Sequence, residues 1–123
     1  MDRALSRGWK LSWLALFLVM GATSSLWAHA ILKESTPALN STVKDPDFDI
    51  TLRYNVRIDG VRSRVRLVAP DGTVSTLTLA SQPSPDTLQT HAAGLNPGAY
   101  KLQWQVLASD GHMSRGEIPF TVN

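Results

Sequence analysis

The chain has 123 residues, 12 Lys and Arg against 10 Asp and Glu, a formal net charge of +2 and no cysteine. One domain is the expectation at this length. The lack of cysteine excludes zinc fingers, iron–sulfur clusters, thiol redox chemistry and copper(I)–thiolate traps.

The first element in chain order is a targeting segment. Arg3, Arg7 and Lys10 form a short basic stretch, Leu11 to Ala22 is an apolar run, and Thr23-Ser24-Ser25-Leu26-Trp27-Ala28 closes it with mostly small residues. Those are the three parts of a secretory signal peptide. The apolar run is about a dozen residues, whereas a membrane-spanning helix needs roughly 20. The expected organisation is a cleaved signal peptide over 1–28 and one folded domain over 29–123. Spacing allows two cuts. One follows Ala28 and leaves His29 first; the other follows Ala30, where Ala28 and Ala30 make the small-x-small pair. Removing 1–28 takes away Arg3, Arg7, Lys10 and Asp2 and leaves nine residues of each sign. The basic excess therefore belongs to the export segment, and no nucleic-acid partner is expected.

Strands follow. Phe48, Ile50, Leu52 and Tyr54 alternate with polar residues, as do Val65 and Leu67, then Tyr100, Leu102, Trp104 and Val106, then Ile118, Phe120 and Val122. A period of two marks half-buried strands. Pro70-Asp71-Gly72, Gln82-Pro83-Ser84-Pro85 and Asn96-Pro97-Gly98 supply turns. About seven strands are predicted, near 30–34, 48–54, 63–69, 73–79, 87–91, 99–107 and 116–122. Short strands with one buried face each imply an all-β domain of two packed sheets. Arg53, Arg57, Arg62, Arg64 and Arg66 fall where a hairpin's solvated face and turn are expected.

The hairpin between 99–107 and 116–122 contains Ser109-Asp110-Gly111-His112-Met113. In an extended segment the side chains at i and i+2 point the same way, so Asp110 and His112 can face a common point. A plain turn, with Asp110 capping backbone amides, is the competing reading. If His29 is the first residue, its α-amine and imidazole can chelate one metal ion. His112 adds a second imidazole and Asp110 an oxygen. Three nitrogens and one oxygen in a tetragonal arrangement favour copper(II). Free imidazole titrates near 6.5 and an α-amine at about 7.7–8.0, so binding weakens below neutral pH. His91 is expected to be a polar strand residue. Met113 is the lone methionine after residue 28, which argues against a thioether copper(I) site.

The segments Trp27-Ala28-His29-Ala30, Ser35-Thr36-Pro37-Ala38, Pro97-Gly98-Ala99-Tyr100 through Trp104-Gln105-Val106, Ser109-Asp110-Gly111-His112, and Gly116-Glu117-Ile118-Pro119-Phe120-Thr121-Val122 resemble those of the CopC-type periplasmic copper-resistance proteins, including the short YobA-like members. The resemblance implies a seven-stranded Greek-key β-sandwich or barrel of immunoglobulin-like, cupredoxin-like topology. It also implies copper(II) ligation by His29, Asp110 and His112, and a cut before His29. A CopD-type inner-membrane protein is the partner it suggests, and a monomer is expected. Where the family often has Phe-Ser-Glu, this chain has Tyr54-Asn55-Val56, so an acidic support for the metal is absent. Such outer partners commonly change affinity tenfold or more. A copper(II) carrier or buffer, not an enzyme, is the expectation. A histidine-brace oxidase or monooxygenase and a metal-free β-sandwich interaction module are the alternatives.

Overall fold

The structure is a computed structural model and describes residues 29–123; the expected signal segment lies outside the described residues. Eight strands run in chain order: β1 (Leu32–Thr36), β2 (Thr42–Val43), β3 (Phe48–Tyr54), β4 (Ile58–Val68), β5 (Val74–Thr76), β6 (Thr87–Ala92), β7 (Gly98–Ala108) and β8 (Met113–Val122). They form two sheets. The smaller has the order β1-β3-β6 and the larger β2-β8-β7-β4-β5. All seven predicted strands are present, and the two-residue β2 is an addition.

The alternation read from the sequence is the alternation that buries the core. Ile50, Leu52 and Tyr54 of β3 and Leu88 of β6 turn inward from the small sheet. Val65, Leu67, Leu102, Trp104, Val106, Ile118, Phe120 and Val122 turn inward from the large one. Edge-to-face aromatic pairs join the layers: Tyr54 meets Trp104 with ring centres 5.2 Å apart, and Phe48 meets Phe120 at 5.7 Å. Such pairs add to the burial of their area. On β8, Gly116 sits opposite Trp104. A Cβ there would collide with the indole, so the close approach requires glycine.

Strand β4 begins five residues earlier than the apolar pattern indicates. Its register against β7 shifts between Asp59 and Arg64, and this irregularity changes which side chains face in: Ile58 is inward before it, Val65 and Leu67 after it. Buried Ser63 stitches the irregular stretch. Its hydroxyl donates to the Asp59 carbonyl (2.6 Å) and accepts from the Leu107 N–H (3.1 Å). Strand β5 is shorter than predicted because the chain changes sheets. Leu77 N–H still donates to Val65 of the large sheet, but Ala80 N–H donates to Gln89 of the small one. Arg64 and Arg66 lie on the outer face of β4, exposed. Arg53 pairs with Glu34 (2.9 Å) and Arg62 with Asp59 (3.4 Å), in keeping with a solvated basic surface.

Candidate metal centre

The turn joining β7 and β8 carries two of the candidate ligands. Leu107 pairs with Met113, and the Ala108 N–H donates to the His112 carbonyl (2.9 Å). Between them Gly111 adopts φ +91°, a left-handed conformation that glycine takes without strain. The Asp110 Oδ1 accepts the His112 backbone N–H at 3.0 Å, an Asx-type turn. The same oxygen lies 3.3 Å from the His112 Nδ1. The backbone N–H of His112, with help from its ring, holds the Asp110 carboxyl below the usual carboxylate range. Asp110 therefore caps the turn and also faces the imidazole. With Nδ1 engaged by the carboxylate, Nε2 is the His112 nitrogen directed to other partners. Both side chains are solvent-accessible, at 56% for His112 and 43% for Asp110.

The third candidate arrives from the other end of the chain. His29, Ala30 and Ile31 precede β1 and are bonded to residues of both sheets' ends, Ser114 of β8 and Asn55 just after β3. Ala30 is buried against the core, and its N–H donates to the Ser114 Oγ at 3.2 Å. Ile31 is held twice by Asn55: its N–H donates to the Asn55 Oδ1 (2.7 Å), and its carbonyl accepts the Asn55 N–H (3.0 Å). Ser114 pairs with Val106 and Gly116 with Trp104, so the arm docks on β8 two residues from the glycine that faces Trp104. Tyr54 and Trp104 pack together, and Tyr54 Oη and Trp104 Nε1 are buried without hydrogen-bond partners. Burial pushes the Tyr54 hydroxyl far above its ordinary range.

These two pieces bring His29 beside His112. Their ring centroids are 6.1 Å apart and inclined at 70°. Metal–imidazole bonds run about 2.0–2.1 Å and a ring nitrogen sits about 1.1 Å from its centroid, so two imidazoles sharing one ion have centroids no more than roughly 6.2–6.4 Å apart. The observed spacing falls inside that bound. Among the described residues no three His, Asp or Glu side chains already converge as a metal-binding group: the two rings approach each other, and Asp110 is turned onto His112. For the carboxylate to bind an ion directly it must rotate away from the His112 ring.

His91 is elsewhere. It sits opposite Asp49 on β6, and its Nδ1 lies 2.8 Å from the Asp49 Oδ1. Asn55 lies six positions beyond Asp49, just past the end of β3, about 20 Å at strand rise. Val56, in the stretch where an acidic residue was expected to be absent, is half-buried and packs against the core. Asn55 and Ser114, which touch the arm, were not singled out as site residues from the sequence. For Ser114 a signal existed: it lies two residues after His112, where the chain enters β8 and alternate side chains share a face.

The CopC domain family model matches residues 32–123. Protein YobA of Escherichia coli (strain K12) is 30% identical over 112 residues, covering 89% of this chain and 90% of that protein. Among solved structures, CopC from Methylosinus trichosporium OB3b superposes with a TM-score of 0.70 at 26% identity, covering 77% of this chain and 94% of its own. PcoC, a methionine-rich copper resistance protein from Escherichia coli, gives 0.66 at 25% identity, covering 78% and 100%.

Proposed function

Because the chain belongs to the CopC domain family, we propose that it is a periplasmic copper(II) carrier or buffer that binds one ion through the α-amine and imidazole of His29 together with His112 and Asp110. The observation that carries this reading is the 6.1 Å approach of two imidazoles that lie 83 residues apart in the chain. The reading requires export and cleavage after Ala28, because only then is the His29 amine free to chelate.

The chemistry follows from the donor set. A chelating amine and imidazole, a second imidazole and a carboxylate suit a tetragonal copper(II) ion. Copper is cargo here, so ligands must both hold it and let it go. The turn that carries Asp110 and His112 is open to solvent, which leaves the ion reachable by a receiving protein; a CopD-type inner-membrane protein is the partner proposed. Loss of the amine and imidazole donors to protons weakens binding as pH falls. With apolar Val56 in place of an acidic support, the site holds copper(II) less firmly than an acidic-supported relative. A carboxylate in the fourth position leaves little room for oxygen, which favours carriage over oxidation, and the protein acts as a monomer.

The test is a copper(II) titration of the exported protein, with its first residue identified by mass spectrometry. One ion per chain and His29 at the N-terminus are expected. A chain that begins at Ile31, or copper binding indifferent to His112→Ala, overturns the reading.

A further inference from the structure

We propose that Ser114 and Asn55 are positioning residues for this copper site, a two-point clamp that fixes the arm 29–31 in the register that sets the His29 ring against His112. The inference rests on the proposed copper(II) reading and names residues that touch no metal in it.

The geometry of β8 explains the first point. His112 immediately precedes β8 and Ser114 is the second residue of that strand; two residues of extended chain span about 6.6–6.8 Å. His29 and Ala30 are one residue apart, about 3.8 Å between Cα atoms. Docking the Ala30 N–H on the Ser114 hydroxyl (3.2 Å) therefore holds the preceding residue close to the turn that leads into β8, where the His29 and His112 ring centroids lie 6.1 Å apart. A slip of one residue would direct the Ala30 side chain out of the core and carry His29 away from the turn. Burial of Ala30 and the Ser114 bond thus specify the same register.

Asn55 supplies the second point from the opposite sheet. It follows β3 and brackets Ile31 with a side-chain acceptor and a backbone donor, at 2.7 and 3.0 Å. Ile31 is itself exposed, so apolar burial does not hold it; these two bonds do. The ladder between β1 and β3 starts only at Leu32, opposite Tyr54. Without the Asn55 side chain, Ile31 keeps only the bond to the Asn55 backbone N–H, and the arm is otherwise held by burial of Ala30 and its bond to Ser114. The Ser114 bond has a chemical consequence as well. It occupies the Ala30 N–H, the first backbone amide after the chelating residue and the group that copper(II) deprotonates and binds in flexible peptides. With that amide engaged, the remaining coordination positions go to His112 and Asp110.

The test uses the exported protein with His29 confirmed as its first residue, and the variants Ser114→Ala, Ser114→Thr, Asn55→Ala and His112→Ala. Copper(II) affinity is measured by competition titration and the site by EPR. Far-UV circular dichroism and Trp104 emission report the fold. Ser114→Ala and Asn55→Ala are each expected to lose about tenfold or more in affinity and to show a second copper(II) species that grows with pH, while the fold is retained. Ser114→Thr, which keeps the hydroxyl, is expected to retain the wild-type spectrum. Asn55 is exposed, so its alanine variant decides the matter if Ser114→Ala does not fold. The clamp is overturned if His112→Ala loses affinity while Ser114→Ala and Asn55→Ala bind within twofold of wild type with one unchanged spectrum. If His112→Ala also binds like wild type, the copper reading itself falls, and the clamp with it.

Discussion

Gly116→Ala tests how tightly the layer beneath the site is packed. Gly116 and Trp104 are cross-strand partners, and the indole covers the glycine so closely that an added Cβ would overlap Cζ2, Cε2 and Nε1 of the ring. The ring has little room to retreat. Tyr54 packs edge-on against it at 5.2 Å, and Trp104 is only 8% exposed. Overpacking of this kind costs about 1–3 kcal/mol. For a domain under 100 residues each kcal/mol lowers Tm by about 4–8 °C. The assay is thermal unfolding by circular dichroism, with tryptophan emission read in parallel. After loss of residues 1–28 Trp104 is the sole tryptophan, so that signal belongs to one ring. A lower Tm and a red-shifted emission, as Nε1 gains solvent, are expected. A variant that melts within about 2 °C of wild type with an unchanged spectrum refutes the packing argument.

The ligand set makes a separate forecast: His112→Ala and Asp110→Ala lower copper(II) affinity and alter the EPR spectrum, whereas His91→Ala, paired with Asp49 on a distant strand position, leaves both unchanged. An unaltered spectrum in His112→Ala counts against the assignment. The Asp110 carboxyl sits below its ordinary range because the His112 N–H donates to it. Its contribution to the turn is therefore complete above the unfolded-state value, about 3.9, and is lost as pH falls through the lower folded value. NMR titration of the His112 amide checks this, with a midpoint below that of a free aspartate expected; a midpoint at or above it contradicts the Asx turn.

Much of the fold was legible because burial alternates residue by residue on β3, β7 and β8, and alternation is a local property of sequence. What was not legible depended on partners far along the chain. Strand β2 is two residues long and exists by pairing in parallel with Thr121 and Val122, so it has no pattern of its own. The early start of β4 hides behind the irregular stretch that Ser63 secures. Half of the candidate site was local: Asp110 and His112 share one turn. The arrival of His29 was not, since it depends on a bond between Ala30 and Ser114 and on the bracket that Asn55, beyond β3, puts around Ile31. The i, i+2 spacing of His112 and Ser114 hints at a shared face, but nothing in the sequence shows which residues dock there until the sheets are assembled.

In the proposed site the amine of His29 and the imidazoles of His29 and His112 hold one copper(II) ion. The most direct measurement compares copper(II) affinity in two forms of the domain, one starting at His29 and one with a single residue placed before it. The extended form is expected to lose orders of magnitude in affinity, because its amine donor becomes an amide. Equal affinity in the two forms would contradict the proposed site.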